Sequence, residues 1–237
     1  MMNAPALTPD TLALGDCCEV LRALPSDSID FCLTDPPYLV GYRDRAGRTL
    51  AGDRPEDRDW LRPSFAQVYR VLRPQSLCVS FYGWNRAELF LAAWRAAGFR
   101  VVGHLTFPKR YTSTSGLLRY QHESAYLLAK GNPCPPERLI GDVIDWTYTG
   151  NRLHPTQKPV SVLTPLIESF CRPGGLVLDP FAGSGSTLVA ARECGRRYFG
   201  IELDPKVHAV GLARMRAQAQ RFQRMVGGAG DPLPLAA

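Results

Sequence analysis

The chain has 237 residues, 45% apolar and 21% charged, which suits one or two globular domains and excludes wholesale disorder. No apolar run approaches the ~20 residues of a membrane span, and residues 1–10 lack the basic and apolar regions of a signal peptide, so a cytoplasmic protein is expected. The net charge of +6 is unevenly placed: residues 1–40 balance at −5, residues 41–73 at +3 and residues 86–130 at +5. Only four of the 28 basic residues are Lys, and Arg favours bidentate contact with phosphate. Uniform replacement of Lys by Arg explains the composition equally, but the segregation suggests a cationic path for a polyanion beside an acidic strip.

In chain order, residues 11–16 read as a short apolar segment and Cys17–Leu24 as a helix. Ile29–Thr34 has a buried-strand pattern, ended by Pro36 and Pro37. Residues 39–59, with four Arg and three Gly in their first sixteen positions, read as a long mobile loop. Helices follow at 60–72 and 86–97, and strands at 76–81 and 99–107. Residues 109–120 are polar and carry no element, 122–129 form a strand, and 131–152 are irregular. The rest alternates: helix 160–171, strand 176–178, helix 186–193, strand 198–202, helix 206–224, with residues 1–10 and 228–237 as flexible ends. Strands alternating with helices predict a mostly parallel sheet covered on both faces.

Seven cysteines without a CxxC fit neither a zinc site nor a disulfide framework and read as reduced core thiols. Pro133-Cys134 has no thiolate-activating neighbour and is assigned no catalytic role.

Two segments carry chemistry. In Leu176-Val177-Leu178-Asp179-Pro180-Phe181-Ala182-Gly183-Ser184-Gly185-Ser186-Thr187 a strand runs through a small-residue loop into a helix, and the glycines let a ligand approach the backbone. Glu202 ends a second strand 23 residues after Asp179, where an acid can bind the ribose hydroxyls of an adenosine. In Asp35-Pro36-Pro37-Tyr38, at the end of a strand, the Asp35 carboxylate and the Pro36 carbonyl can accept hydrogen bonds from an exocyclic amine. That frees a lone pair otherwise delocalised into the ring. Tyr38 can stack on the base. An amine so activated can accept a group directly and in line, and positioning then supplies most of the catalysis.

Together these segments resemble the β class of amino-group DNA methyltransferases, over roughly residues 13–216. The order fits that class too: Asp-Pro-Pro-Tyr first, then His154-Pro155-Thr156-Gln157-Lys158-Pro159 and the Gly-rich loop. The resemblance implies a Rossmann-like α/β fold with a seven-stranded, mostly parallel sheet. It implies S-adenosylmethionine as cofactor, held by Asp16, Cys17, Asp35, His154, Thr156, Lys158, Asp179, Phe181, Gly183, Ser184, Gly185, Ser186, Thr187, Glu202 and Asp204. Asp16 would receive the adenine amino group of the cofactor, and the segment 154–159 would close over its methionine end. The Asp form of Asp35-Pro36-Pro37-Tyr38 favours adenine N6 over cytosine N4. Lys109 and His122-Glu123 fall where the family often has such residues, but Glu123 reads more simply as a strand-end surface charge.

The resulting expectation is a single methyltransferase domain over 11–225, with target-recognition insertions at about 39–59 and 109–153. It would flip adenine out of double-stranded DNA, with Arg43, Arg45, Arg48, Lys109, Arg110 and Arg119 on phosphates. A homodimer and a cognate restriction enzyme are compatible partners. The rival readings are a cytosine-N4 enzyme, an RNA or protein amide methylase, a non-catalytic DNA-binding module on a methylase fold and, more distantly, a dehydrogenase, which leaves Asp35 to Tyr38 unexplained.

Overall fold

The computed structural model describes residues 7–43, 47, 49–115, 117–146 and 158–227. Among these residues seven strands form one sheet: β1 (Thr11–Leu14), β2 (Ile29–Thr34), β3 (Leu72–Phe81), β4 (Arg100–Ser115), β5 (Leu118–Ala129), β6 (Leu176–Asp179) and β7 (Arg197–Glu202). Six α-helices accompany them among the described residues: α1 (Cys17–Ala23), α2 (Leu61–Val71), α3 (Ala87–Ala97), α4 (Val160–Phe170), α5 (Ser186–Glu193) and α6 (Pro205–Gly227). The sheet order is β1-β7-β6-β2-β3-β5-β4. From β1 through β3 every pairing is parallel, and β5 pairs antiparallel with both β3 and β4. The expected fold class is the one observed.

Side chains alternate across the strands, as the pleat requires. Phe31, Leu33, Val79 and Val177 point to the face covered by α4, α5 and α6, where they meet Leu163, Leu166 and Leu188. Cys32, Cys78, Leu178 and Phe199 point to the face covered by α1, α2 and α3, and meet Leu21, Phe65, Val68, Phe90 and Trp94. Strands β6 and β2 are neighbours, yet the helices that follow them lie on opposite faces: α5 after β6 and α2 after β2. That divergence opens a crevice beyond their carboxyl ends, where sheets of this kind bind ligands.

Three expectations change. The polar stretch after Lys109 carries strand: β4 and β5 continue into it, and after a break in register between Pro108 and Ser113 they pair again from Ser113↔Tyr120 to Ser115↔Leu118. Alternate residues of a two-stranded ribbon face solvent, so apolar content is a poor guide to such a strand. The loop 39–59 is organised around Asp53, buried, which accepts the Leu39 N–H (2.9 Å) and the Tyr42 N–H (2.6 Å). A 3-10 turn at Pro55–Trp60 then leads into α2. Cysteines 17, 18, 32, 78 and 171 are buried and Cys194 half-buried, but Cys134 is exposed, because it sits in the irregular proline-rich segment outside the sheet. No helix among the described residues is long and apolar enough to cross a membrane.

Candidate active site

A cavity of about 500 Å³ occupies the crevice, a size suited to a small-molecule cofactor. Asp35 to Tyr38 leave β2 directly into it, and Asp179 to Ser184 leave β6 beside them. The two strand ends are tied together: Thr34 Oγ1 donates to Asp179 Oδ1 at 3.1 Å, and the Phe181 N–H donates to the same oxygen at 3.1 Å. Burial pushes the Asp179 carboxyl up to about 7, against these bonds and one from Thr187.

Glu202 closes β7 on the far side of the β6 loop. Its Oε2 accepts the Gly183 N–H and its Oε1 the Asp204 N–H, both at 2.8 Å. The carboxylate is thus fixed at the cavity wall, and each oxygen keeps a lone pair for a further donor. A Cβ on Gly183, whose φ is +53°, would meet nothing within 4 Å, so a ligand can approach its backbone. Asp16 caps α1, accepting the Cys18 and Glu19 N–H groups on Oδ1, and lines the cavity with Gly15 and Cys17. Asp16, Cys17 and Cys18 also bring metal-ligating atoms within 4.8 Å of one another, but Asp16 is already used as the cap. Asp204 caps α6 through the Lys206 and Val207 N–H groups, also at the cavity. Acids and backbone donors at one end, and a small-residue loop between, fit a cofactor with a polar ribose.

Ser184, Ser186 and Thr187 are buried at the cavity wall. Gly185 departs from expectation. At φ +79° it is the N-cap of α5, and its Cβ direction points at Leu188 and Met215, each 3.8 Å away. It serves the turn and the approach of α6, and it does not line the cavity.

The other end of the cavity holds an ionic cluster around the buried Lys158. Lys158 Nζ lies 2.5 Å from Asp35 Oδ2 and 3.1 Å from Glu123 Oε2. Lys109 Nζ lies 2.5 Å from Glu123 Oε1. Tyr38 Oη donates to Asp35 Oδ1 at 2.7 Å and lies 3.4 Å from Glu123 Oε2. Burial raises the Asp35 carboxyl, and Glu123 adds to this while Lys158 and Tyr38 oppose it. Burial works against the Glu123 anion too, but Lys158 and Lys109 outweigh it and pull this carboxyl down to about 2. Burial opposes the Lys158 cation, and the two carboxylates overcome it and raise its pKa. The Tyr38 hydroxyl is pushed well up by burial and then by both acids.

This cluster corrects two readings. Glu123 is not a free surface charge but the half-buried centre of an ionic network. Lys109, expected on a phosphate, is turned inward against Glu123 with its side chain 13% exposed. Lys158, expected at the methionine end of the cofactor, lines the cavity and pairs there with Asp35. Arg43, Arg110 and Arg119 are exposed as expected. His154, Thr156, Arg45 and Arg48 lie outside the described residues. Sequence reasoning missed the wall formed by loop 39–59: Tyr42, Thr49 to Asp53 and Trp60 line the cavity, and Trp60 meets Phe181 edge-on at 5.0 Å. The local signal was only a Gly-rich loop that ends in a Trp.

Residues 140–212 match the family model described as DNA methylase. The chain is 55% identical over 217 residues to "Putative methylase YubD" of Escherichia coli (strain K12), covering 92% of this chain and 94% of that one. The chain belongs to the DNA methylase family, the amino-group methyltransferases. A second relative of this DNA methylase, the DNA adenine methyltransferase YhdJ of the same organism, is 28% identical over 86% of this chain and 82% of its own. Among solved structures, TTHA0409 of Thermus thermophilus complexed with S-adenosyl-L-methionine is similar in fold, with TM-score 0.69, 24% identity and coverage of 87% of this chain and 95% of that one. The PvuII cytosine-N4-specific DNA methyltransferase is similar at TM-score 0.72 and 16% identity, covering 93% and 94%.

Proposed function

We propose that this DNA methylase binds S-adenosylmethionine and methylates the N6 amino group of adenine in DNA. The observation that carries the reading is the placement of Asp35: a half-buried carboxylate at one end of a cavity whose other end is walled by Gly183 and Glu202. The residues fit the cofactor. Glu202 suits the ribose hydroxyls, Asp16 the adenine amino group, and Asp179 to Ser184 the span between them. Bound there, S-adenosylmethionine supplies a methyl group on a positively charged sulfur.

Asp35 accepts a hydrogen bond from the target amine and holds its nitrogen in line with that methyl. When bound, the cofactor would supply its methyl to the nitrogen lone pair, the electrons of the C–S bond leaving with sulfur. The nitrogen now carries positive charge, which the Asp35 carboxylate stabilises. The surplus proton passes to Asp35, a better acceptor than an ordinary aspartate because burial raises its pKa. Tyr38 stacks on the base and, through its hydroxyl, orients the carboxylate. The reaction needs no covalent enzyme intermediate.

Adenine is favoured by the Asp form of the motif and by the likeness to an adenine methyltransferase. One domain over 11–225 is supported by the single sheet that runs from β1 to β7. Loop 39–59 and the 109–153 region, adjoining the target end, serve target recognition. Arg43, Arg110 and Arg119, exposed on these segments, contact phosphates. The test is transfer of labelled methyl to mixed-sequence duplex DNA followed by nucleoside analysis. N6-methyladenine supports the reading, N4-methylcytosine replaces it with the cytosine enzyme, and 5-methylcytosine or no transfer refutes it.

A further inference from the structure

Both oxygens of Asp35 are already engaged. Tyr38 Oη donates to Oδ1 at 2.7 Å and Lys158 Nζ to Oδ2 at 2.5 Å. An amine arriving at this carboxylate therefore meets a lysine ammonium on one oxygen. A Lys158 that stayed there would oppose methyl transfer twice. It would neutralise the carboxylate, and it would repel the positive charge that grows on the target nitrogen in a site poorly screened by water.

Glu123 Oε2 lies 3.1 Å from the same Nζ. Glu123 stands on β5, across from the motif loop, and Lys109 on β4 pairs with its other oxygen at 2.5 Å. Glu123 is therefore held as an anion with Oε2 turned toward Lys158. The ammonium is also surrounded by ring faces, with Phe81, Tyr38 and Trp146 centroids at 4.9, 5.4 and 5.9 Å. Such faces stabilise a cation without tying it to one hydrogen-bond partner.

We propose that Glu123 is an alternate seat for Lys158: as the target base enters, the ammonium leaves Asp35 Oδ2 for Glu123 Oε2, and the freed oxygen accepts the amine. The step exchanges hydrogen bonds only, and Lys158 keeps its proton throughout. Glu123 is then a positioning residue that acts through Lys158. The inference rests on the reading that Asp35 receives the target amine.

A double-mutant cycle tests it, because the coupling isolates what Glu123 does through Lys158. Methyl transfer from labelled S-adenosylmethionine to mixed-sequence duplex DNA is measured for wild type, Glu123→Gln, Lys158→Met and the double variant, at alkaline pH where Asp35 is ionised. Glu123→Gln should lower kcat at least tenfold and leave the calorimetric affinity for S-adenosylmethionine within twofold. In the Lys158→Met background the same substitution should change kcat less than threefold. Additive losses, or a kcat for Glu123→Gln within twofold of wild type, overturn the proposal. Should Glu123→Gln fail to fold, Glu123→Asp, which keeps the charge but withdraws the seat, takes its place with a smaller coupled loss. Wild-type transfer and its loss in Asp35→Ala test the underlying reading separately. If both are seen and the cycle is additive, only the seat is refuted.

Discussion

Thr34 and Asp179, 145 residues apart, share a hydrogen bond of 3.1 Å that joins the end of β2 to the end of β6. It fixes the spacing between the strand end that leads to Asp35 and the loop that leads to Gly183. Asp179 stays buried with its carboxyl at about 7. An acid raised in the folded state stabilises the fold below its unfolded pKa, and that contribution is lost as pH rises through the folded value. Unfolding free energy should therefore decline between about pH 4 and pH 7, by on the order of 4 kcal/mol from this group. Denaturant titrations of wild type and Asp179→Asn at pH 5 and pH 8 check this: the variant should lose that part of the slope.

Gly183 and Gly185 should separate in their effects. Alanine at either site meets a positive φ and should cost roughly 1–2 kcal/mol of stability. Only Gly183→Ala places its methyl in the cavity. Calorimetry with S-adenosylmethionine should show a marked affinity loss for Gly183→Ala and a much smaller one for Gly185→Ala.

Glu202→Ala removes the acceptor of two backbone N–H groups as well as the expected ribose contact. Charged hydrogen bonds are worth about 1.5–3 kcal/mol each, so cofactor affinity should fall at least tenfold by the same titration. Glu202→Gln keeps one carbonyl oxygen and should lose less.

Asp35→Ala should fall on turnover and spare cofactor binding, because its contact strengthens as charge develops on nitrogen. A loss of about a hundredfold or more is expected. Tyr38→Phe keeps the ring and drops the hydroxyl bond to Asp35, a loss of about 1 kcal/mol or five- to tenfold. Tyr38→Ala also loses stacking, worth about 1–3 kcal/mol per base. Single-turnover rates on duplex DNA rank the three.

The pH–rate profile reports the Lys158–Asp35 pair. The carboxylate is the active form, so the rate should fall on acidification, along a limb above the ordinary aspartate range. Lys158 lowers the Asp35 pKa, so Lys158→Met should move that limb to higher pH.

Arg110→Ala and Arg119→Ala should each weaken binding to all duplex sequences alike and reduce the salt slope of log affinity by roughly one. Fluorescence anisotropy between 50 and 200 mM salt, about the range in which such slopes are read, measures this. An unchanged slope assigns that Arg to composition alone.

Much of this DNA methylase was written in neighbouring residues. Alternation of short apolar strands with amphipathic helices specified a covered, mostly parallel sheet, since each element's burial pattern is local. Asp35 to Tyr38, Asp179 to Ser184 and Glu202 each sit at a strand end followed by a loop, so their exit into a common crevice was legible from spacing. The register of the sheet decided the rest. Glu123 looks like a surface charge along its own strand and becomes a paired, half-buried anion only because β4 brings Lys109 to one of its oxygens and the segment before α4 brings Lys158 to the other. Gly183 and Gly185 are indistinguishable as letters, but one faces the cavity and the other Leu188 and Met215, because the turn sends their Cβ directions apart. Lys158 sits beside Asp35 across a separation of 123 residues. Ion pairs of this kind depend on which strands lie side by side, and no short window of the chain contains that information.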